Sequence, residues 1–112
     1  METVSTAERE TIAATEGVSV TVLASGEAMN VQAFTIDPGA SVPAHSHHHE
    51  QAGYLFAGHA TFVLDDMEHE VSPEGSYAIP ADETHAVENR GDTMVRGVEC
   101  FSPPRPHPDW ME

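Results

Sequence analysis

Hydrophobic and polar residues alternate along several short segments of this chain, a pattern typical of half-buried β-strands. The clearest case is residues 18–22, in which three valines are separated by Ser19 and Thr21. Further segments of this kind recur about every 8 to 12 residues and are separated by glycine, proline or paired aspartates. They cover residues 29–36, 54–57, 60–64, 68–71, 76–79, 85–89 and 95–101. The spacing predicts an all-β barrel or sandwich.

The two ends of the chain depart from this pattern. Residues 1–16 are polar and acidic with weak helical spacing, and we expect an N-terminal arm that is frayed or exchanged with a neighbouring subunit. Residues 103–112 contain four prolines, which remove backbone donors and exclude a central strand. Residues 17–102 are therefore predicted to form a β-domain. The whole chain, at 112 residues, has the length of a single compact domain.

The charge of the chain restricts its partners. It contains 19 acidic residues and four cationic ones, all arginine, and its formal net charge is −15. This charge repels nucleic acid and anionic membranes, and both are excluded as partners. Self-repulsion destabilises the fold unless salt screens it, so the lysine-free composition is similar to that of a halophile's protein. An acidic surface that attracts metal ions is the alternative.

A single cysteine and the absence of long apolar runs indicate the cellular location. Cys100 has no partner for an internal disulfide, and we expect it to be a small buried hydrophobic residue. The sequence has no apolar run of about 18 residues and no signal-peptide pattern at its start. These features predict a cytoplasmic protein.

Potential metal ligands are concentrated in residues 45–51. This segment holds four of the eight histidines of the chain, together with a carboxylate and an amide. Each ring nitrogen of a buried histidine needs a partner, and a shared ion supplies one to several rings at once. Neutral imidazole is also the commonest metal ligand in proteins. The alternatives are a solvated histidine-rich loop and a purification tag. The segment lies mid-chain between predicted strands, which argues against a tag, and we favour the metal site.

In an extended segment, successive side chains point to opposite sides, so the side chains of residues 45–51 divide into two groups. One side carries His45, His47, His49 and Gln51, and the other carries His48 and Glu50. This argument leaves open whether the binding pair is His45 with His47 or His47 with His49, and whether His49 or Glu50 joins the site. Of the four histidines outside this segment, those at positions 59, 69 and 107 are expected to be exposed.

Two motifs around this segment resemble those of the cupin superfamily. The first, residues 39–58, has the order Gly-x5-His-x-His-x3-Gln-x6-Gly, and the second, residues 74–89, ends Pro-x4-His-x3-Asn. Three departures separate the chain from the family pattern. Gln51 replaces a glutamate, Asp82 replaces a glycine, and the glycine that opens the second motif is displaced to Gly75 or replaced by Glu74.

This resemblance implies a small single-domain cupin, a jelly-roll-like β-barrel that binds one divalent transition metal. The implied ligands are His45, His47, Gln51 and His85. The metal, whether Fe, Mn, Ni, Co or Zn, is not fixed by these residues. Because the ligands are all neutral, the ion keeps its charge of +2, which favours a small anionic molecule as partner. The family resemblance also suggests a homodimer.

A third element narrows the resemblance to the pectin-degradation cupins of the KdgF type. Glu99, Phe101 and Arg105 are similar to an Asp-x-Phe-x3-Arg element of those proteins, with glutamate in place of aspartate. The resemblance implies that an unsaturated uronate is converted by metal-assisted ring opening and tautomerisation. Glu99 and Arg105 are then catalytic, and Phe101 and Arg105 bind the substrate. The alternatives are an Fe(II)-dependent cupin dioxygenase and a non-enzymatic cupin that binds small molecules.

Overall fold

The computed structural model describes residues 1–105 of the chain, and these residues form ten β-strands and one short 3₁₀ helix, Thr6–Glu8. In chain order the strands are β1 (Ile12–Thr15), β2 (Val18–Ser25), β3 (Asn30–Ile36), β4 (Ser41–His45), β5 (Glu50–Ala57), β6 (Ala60–Leu64), β7 (Met67–Val71), β8 (Ser76–Ile79), β9 (His85–Glu88) and β10 (Val95–Ser102). The predicted all-β fold is confirmed.

The strands form two antiparallel sheets. The larger sheet has the order β1-β2-β3-β10-β5-β8, and the smaller has the order β4-β9-β6-β7. Some strands that are neighbours in a sheet, such as β3 and β10, are far apart in the sequence. Consecutive strands are therefore often not neighbours in a sheet. The two sheets enclose the hydrophobic core.

The alternation in the sequence determines which side chains enter this core. Along β3, every second residue is buried, including Phe34 and Ile36. Val18 and Val20 on β2 are buried in the same way, as the alternation predicts. Leu55 of β5, on the same sheet, is also buried. Burial of such side chains is the main favourable term that holds the sheets together.

The N-terminal segment joins the larger sheet. β1 pairs antiparallel with β2 of the same chain, and the weak helical spacing before it corresponds to the single 3₁₀ turn. At the other end, residues 106–112, which include His107, lie outside the described residues. No helix within residues 1–105 is long and apolar enough to cross a bilayer.

One turn and one strand position show where local prediction succeeds and fails. The predicted hairpin tip at Asp65 and Asp66 is confirmed, with φ values of 49° and 62° that match the left-handed geometry of tight hairpins. The expectation that Cys100 is buried is wrong, because its side chain is exposed. Cys100 occupies the outward phase of β10, whereas Glu99 and Phe101 occupy the inward phase.

Candidate metal centre

Three histidines from separate parts of the chain meet at one end of the core. His45 ends β4 and His85 begins β9, and the two residues face each other across the smaller sheet. His47 lies in the loop that follows β4. The ring centroids are 4.4 Å apart for His45 and His85, and 5.0 Å apart for His47 and His85. One ligand atom from each ring lies within 4.8 Å of the other two.

Backbone carbonyls fix the orientation and tautomer of all three rings. A carbonyl oxygen only accepts, so each bonded Nδ1 carries the proton and each Nε2 keeps a lone pair. The Nδ1–O distances are 2.8 Å from His45 to Pro43, 3.0 Å from His47 to His49, and 2.8 Å from His85 to Glu83. Such bonds from the second ring nitrogen are typical of metal-binding histidines.

Gln51 completes this group from the larger sheet. Its Oε1 lies 3.2 Å from Nε2 of His47, while its Nε2 donates to Oε1 of Glu99 at 2.8 Å. The donation to Glu99 fixes the amide orientation, so two lone pairs, those of Oε1 and of the His47 ring, face each other. Two facing acceptors cannot hydrogen-bond to each other, but both can bind the same cation.

The remaining lone pairs also fit a divalent metal. Nε2 of His85 is buried and has no hydrogen-bond partner within residues 1–105. A buried polar atom without a partner is costly, and a cation shared with His47 and Gln51 would satisfy it. The donor set of imidazole nitrogens and an amide oxygen suits a divalent transition metal and does not distinguish among Fe, Mn, Ni, Co and Zn.

The histidines are held in the form that a metal requires. Burial lowers the pKa of His47 to about 4, and the charges of Arg105, His85 and His45 act in the same direction. Burial also lowers the pKa of His85. Both rings are therefore neutral near pH 7, and no proton has to be displaced before a metal binds.

Glu99 lies on the far side of Gln51 from the histidines. Its carboxylate accepts side-chain hydrogen bonds from Gln51, from Gln32 at 3.2 Å and from the hydroxyl of Tyr77. Burial raises the pKa of Glu99, and these hydrogen bonds and the charge of Arg105 act in the opposite direction. An ionised Glu99 would place a negative charge one amide away from the cation site, which partly offsets the missing carboxylate at position 51.

Arg105 is held against the same site by two contacts. Its backbone N–H donates to Oδ1 of Asn30 at 2.6 Å, and its guanidinium carbon lies 5.1 Å from the ring centroid of Phe101. Phe101 is only 1% exposed, and its ring also packs edge-on against His47. Phe101 thus packs against both Arg105 and His47.

These groups share one cavity between the sheets. The cavity encloses about 50 Å³, and apolar side chains of the core and polar side chains both line it. The polar wall consists of His45, Gln51, Tyr77, His85, Glu99, Gln32 and Arg105. One water needs roughly 10–15 Å³ of such space, so the cavity suits an ion with a few small ligands, or the polar end of a small molecule.

The structure also separates the histidines that the sequence left undecided. His45 and His47 form the cluster with His85, and that cluster is the group of potential ligands found within residues 1–105. His49 is buried and its ring faces His47 and Phe101 instead. Among the other candidates, Glu50 and His48 are exposed, as are the two histidines expected in the outer hairpin, at positions 59 and 69.

Asp82 connects the loops that carry two of the ligands. Its backbone N–H donates to the carbonyl of His47 at 2.8 Å, and its φ is 64°. This conformation favours glycine, and aspartate is one of the side chains that tolerate it best. The replacement of the motif's glycine by Asp82 is therefore compatible with the turn that places His85 beside His47.

The cupin domain family matches residues 32–101, the part of the chain that carries both motifs and most of the site. The chain is a cupin. No curated protein matches its sequence.

Solved structures of other cupins resemble this one closely in fold. KdgF from Halomonas sp. superposes with a TM-score of 0.85 at 20% identity, over 95% of this chain and 96% of that chain. An RmlC-like cupin from Shewanella frigidimarina gives a TM-score of 0.84 at 20% identity, over 95% and 94% of the two chains.

A third solved structure with a similar fold is that of the polyketide cyclase RemF from Streptomyces resistomycificus, with a TM-score of 0.81 at 22% identity over 95% of this chain and 82% of that chain. At these identities the similarity establishes the fold, and the chemistry has to be argued from the side chains of this cupin.

Three residues that neither motif specifies also contribute to the site. Gln32 and Tyr77 hold Glu99, and Asn30 holds the backbone of Arg105. The sequence analysis did not identify these three residues. Two of them carry a signal in the sequence, because Asn30 and Gln32 occupy inward positions of β3, where polar residues are unexpected.

Proposed function

We propose that this cupin binds one divalent metal and converts a small anionic sugar acid, an unsaturated uronate, by ring opening and tautomerisation. The observation that carries the proposal is the shared cavity. Two of the three clustered imidazoles, the buried carboxyl group of Glu99 and the side chain of Arg105 all line it. The similarity of fold to KdgF and the Glu-x-Phe-x3-Arg element support the same assignment.

The metal would be held by His45, His47, His85 and Gln51. When bound, a divalent cation supplies Lewis-acid polarisation of a hydroxyl or ring oxygen. The remaining residues of the cavity then have separate tasks. They bind the carboxylate of the sugar acid and move the proton.

Arg105 is suited to bind that carboxylate. A guanidinium group recognises a carboxylate through two parallel hydrogen bonds, and this geometry requires a fixed side chain. Packing on Phe101 and the bond to Asn30 restrict Arg105 before any substrate arrives. Phe101 therefore contributes to substrate binding by orienting Arg105.

Glu99 is suited to move the proton. Opening the ring and shifting the double bond leaves the composition of the sugar unchanged, because a hydroxyl loses one proton and a carbon gains one. Burial raises the pKa of Glu99 towards the range in which a carboxyl group both accepts and donates a proton near neutral pH. Tyr77, Gln32 and Gln51 hold its oxygens in place during this exchange.

The test follows the absorbance of an unsaturated uronate released by a polysaccharide lyase. Metal-loaded protein is expected to accelerate its decay, and Glu99→Gln is expected to lose at least about 100-fold of this acceleration, as for a proton-transfer group. Glu27→Gln, at an exposed position in the turn before β3, serves as the matched control.

Three results would contradict the proposal. The first is a decay rate that metal-loaded protein leaves unchanged, and the second is full acceleration by Glu99→Gln. Oxygen consumption with the same substrate would also contradict it, because isomerisation of a uronate needs no oxidant, whereas a dioxygenase does.

A further inference from the structure

Gly53 lies inside β5, where glycine is an unfavourable residue. It loses more conformational freedom on folding than any other residue and adds no side chain to the packing of a strand. The backbone does not require it, because the glycines of residues 1–105 with a positive φ are at positions 17, 39 and 58. Gly53 has the same inward phase as the buried Gln51 and Leu55 on either side of it. The space on the inner side of Gly53 should therefore explain the glycine.

The ring of Tyr77 fills that space. A Cβ added at position 53 would lie 2.8 Å from Cε1 of Tyr77, and Cζ and the hydroxyl oxygen would be closer still. Real Cβ atoms essentially never lie within 3.0 Å of such an atom. At Gly58 and Gly97 the nearest atom is a backbone carbonyl oxygen, whereas the three atoms nearest to Gly53 all belong to one side chain. Gly53 is thus matched to Tyr77.

The register of the larger sheet shows why Tyr77 lies there. Gly53 is paired with Tyr77 of β8 on one side and with Glu99 of β10 on the other. Strands are spaced by about 4.8 Å, so β8 and β10 are roughly 10 Å apart. The hydroxyl of Tyr77 donates to Glu99 across this distance, and its ring therefore lies over Gly53. The residue at the middle position decides whether this hydrogen bond can form.

The smaller sheet holds the ring from the opposite side. Phe62 of β6 is buried, and its ring centroid lies 4.4 Å from that of Tyr77 at an angle of 40°. A side chain at position 53 would press the Tyr77 ring towards Phe62. A groove of about 290 Å³ that both rings border, together with Leu64 and Ile79, gives the ring room to turn away from Glu99. The domain can therefore fold with Tyr77 displaced.

The hydrogen bond from Tyr77 makes the two oxygens of Glu99 unequal. Oε1 accepts from Tyr77 and from Gln51, which uses both lone pairs of this oxygen. Oε2 accepts from Gln32 at 3.2 Å. Within residues 1–105, Oε2 is thus the oxygen that keeps a lone pair for another proton.

We propose that Gly53 is a positioning residue: its lack of a side chain lets Tyr77 cross β5 and occupy Oε1 of Glu99, so that Oε2 exchanges the proton with the substrate. The hydroxyl of the sugar loses its proton to Oε2, which returns a proton to the carbon, and the carboxylate is regenerated. The task of Oε2 rests on the function proposed above. The placement of Tyr77 by Gly53 does not.

Urea unfolding tests the placement without any substrate. Gly53→Ala should lower the urea midpoint of wild type, because the added methyl group displaces Tyr77. In Tyr77→Leu, whose shorter side chain leaves the space clear, the same substitution should leave the midpoint unchanged or raise it, since alanine suits a strand better than glycine. Gly26→Ala is the control, with the nearest atom 3.7 Å from the added Cβ, and its effect should be the same in both backgrounds.

Kinetics with the unsaturated uronate test the positioning role. Gly53→Ala and Tyr77→Phe should each lower kcat roughly 10- to 100-fold, as the loss of a hydrogen bond to a charged group does, with little change in KM. The two substitutions together should lower kcat no further than either alone, because they remove the same hydrogen bond. A purely structural glycine would change stability without this pattern.

The outcomes separate this inference from the proposed function. A Gly53→Ala that shifts the urea midpoint equally in wild type and in Tyr77→Leu would overturn the placement, as would a double variant that does not fold. Additive losses of kcat would overturn the positioning role. If wild type does not accelerate the decay, the proposed function fails and the task of Oε2 fails with it, while the urea comparison still decides whether Gly53 accommodates Tyr77.

Discussion

The two halves of the candidate site are held in different ways. On the side of the smaller sheet, His45 and His85 are oriented by carbonyls only two residues away. On the side of the larger sheet, Glu99 is oriented by Gln51 and Gln32, which are 48 and 67 residues away. Local bonds orient the proposed metal ligands, whereas the position of the proposed proton-transfer group depends on how the strands assemble. Gln51 joins the halves, since it faces His47 with its oxygen and Glu99 with its nitrogen.

This comparison predicts that a change in one half leaves the other half largely intact. His47→Ala removes a proposed direct ligand, and the metal affinity should fall by more than the roughly 10- to 100-fold that the loss of an outer-shell contact costs. Titration calorimetry with a divalent metal measures the change. His69→Ala, at an exposed position on β7, is the control and should bind as wild type does. Equal affinities of wild type and His47→Ala would contradict the ligand assignment.

The histidine half should also make metal-free protein sensitive to acid. The folded pKa of His47 is about 4, below the ordinary 6.5, so the unfolded chain takes up its proton at a higher pH than the folded chain does. This histidine therefore costs no stability above pH 6.5, and stability falls as the pH drops from 6.5 towards 4. The full loss is about 3 kcal/mol.

Urea unfolding of chelator-treated protein at several pH values measures this loss. His47→Gln cannot take up the proton, and its stability should fall less over the same range. The difference between the two proteins isolates His47 from the many acidic groups that titrate nearby. Parallel pH profiles for wild type and His47→Gln would show that the ring is not held neutral by burial.

The carboxylate half is tested by Tyr77→Phe, which removes one donor to Glu99 and keeps the ring. A hydrogen bond to a charged or buried group contributes about 1–3 kcal/mol, so stability and the rate of the uronate reaction should both decrease. Metal affinity should stay within a few-fold of wild type, because Tyr77 contacts none of the histidine nitrogens through a hydrogen bond in the described residues. Tyr54→Phe, at an exposed position on β5, is the matched control. A large loss of metal affinity in Tyr77→Phe would show that the halves are not independent.

The contrast between local and long-range contacts also explains which features could be predicted from the sequence. Strands such as Ala60–Leu64 and Ser76–Ile79 were predicted with these bounds, because alternation and turn residues are local signals. The spacing of the histidines predicted a metal site for the same reason. The choice between His45 and His49 required the cross-strand pairing of His45 with His85, which no local pattern contains.

Long-range pairing also accounts for the features that were missed. Tyr77 and Gln32 meet Glu99 only because β8, β5, β10 and β3 are neighbours in one sheet. Cys100 was expected to be buried from its residue type, but the phase of β10 is set by Glu99 and Phe101, which point inward. The outward positions of β10, which include Cys100, therefore lie at the surface.

X-ray absorption of the protein loaded with one equivalent of a divalent metal tests the central idea most directly. The account predicts a first shell that includes three imidazole nitrogens and one oxygen from Gln51, with distances of about 2.0–2.2 Å if the metal is zinc. Gln51→Ala should remove one protein oxygen and keep the three imidazoles. A spectrum with fewer than three imidazoles in wild type, or binding of more than one equivalent at scattered acidic sites, would contradict a single centre built from both sheets.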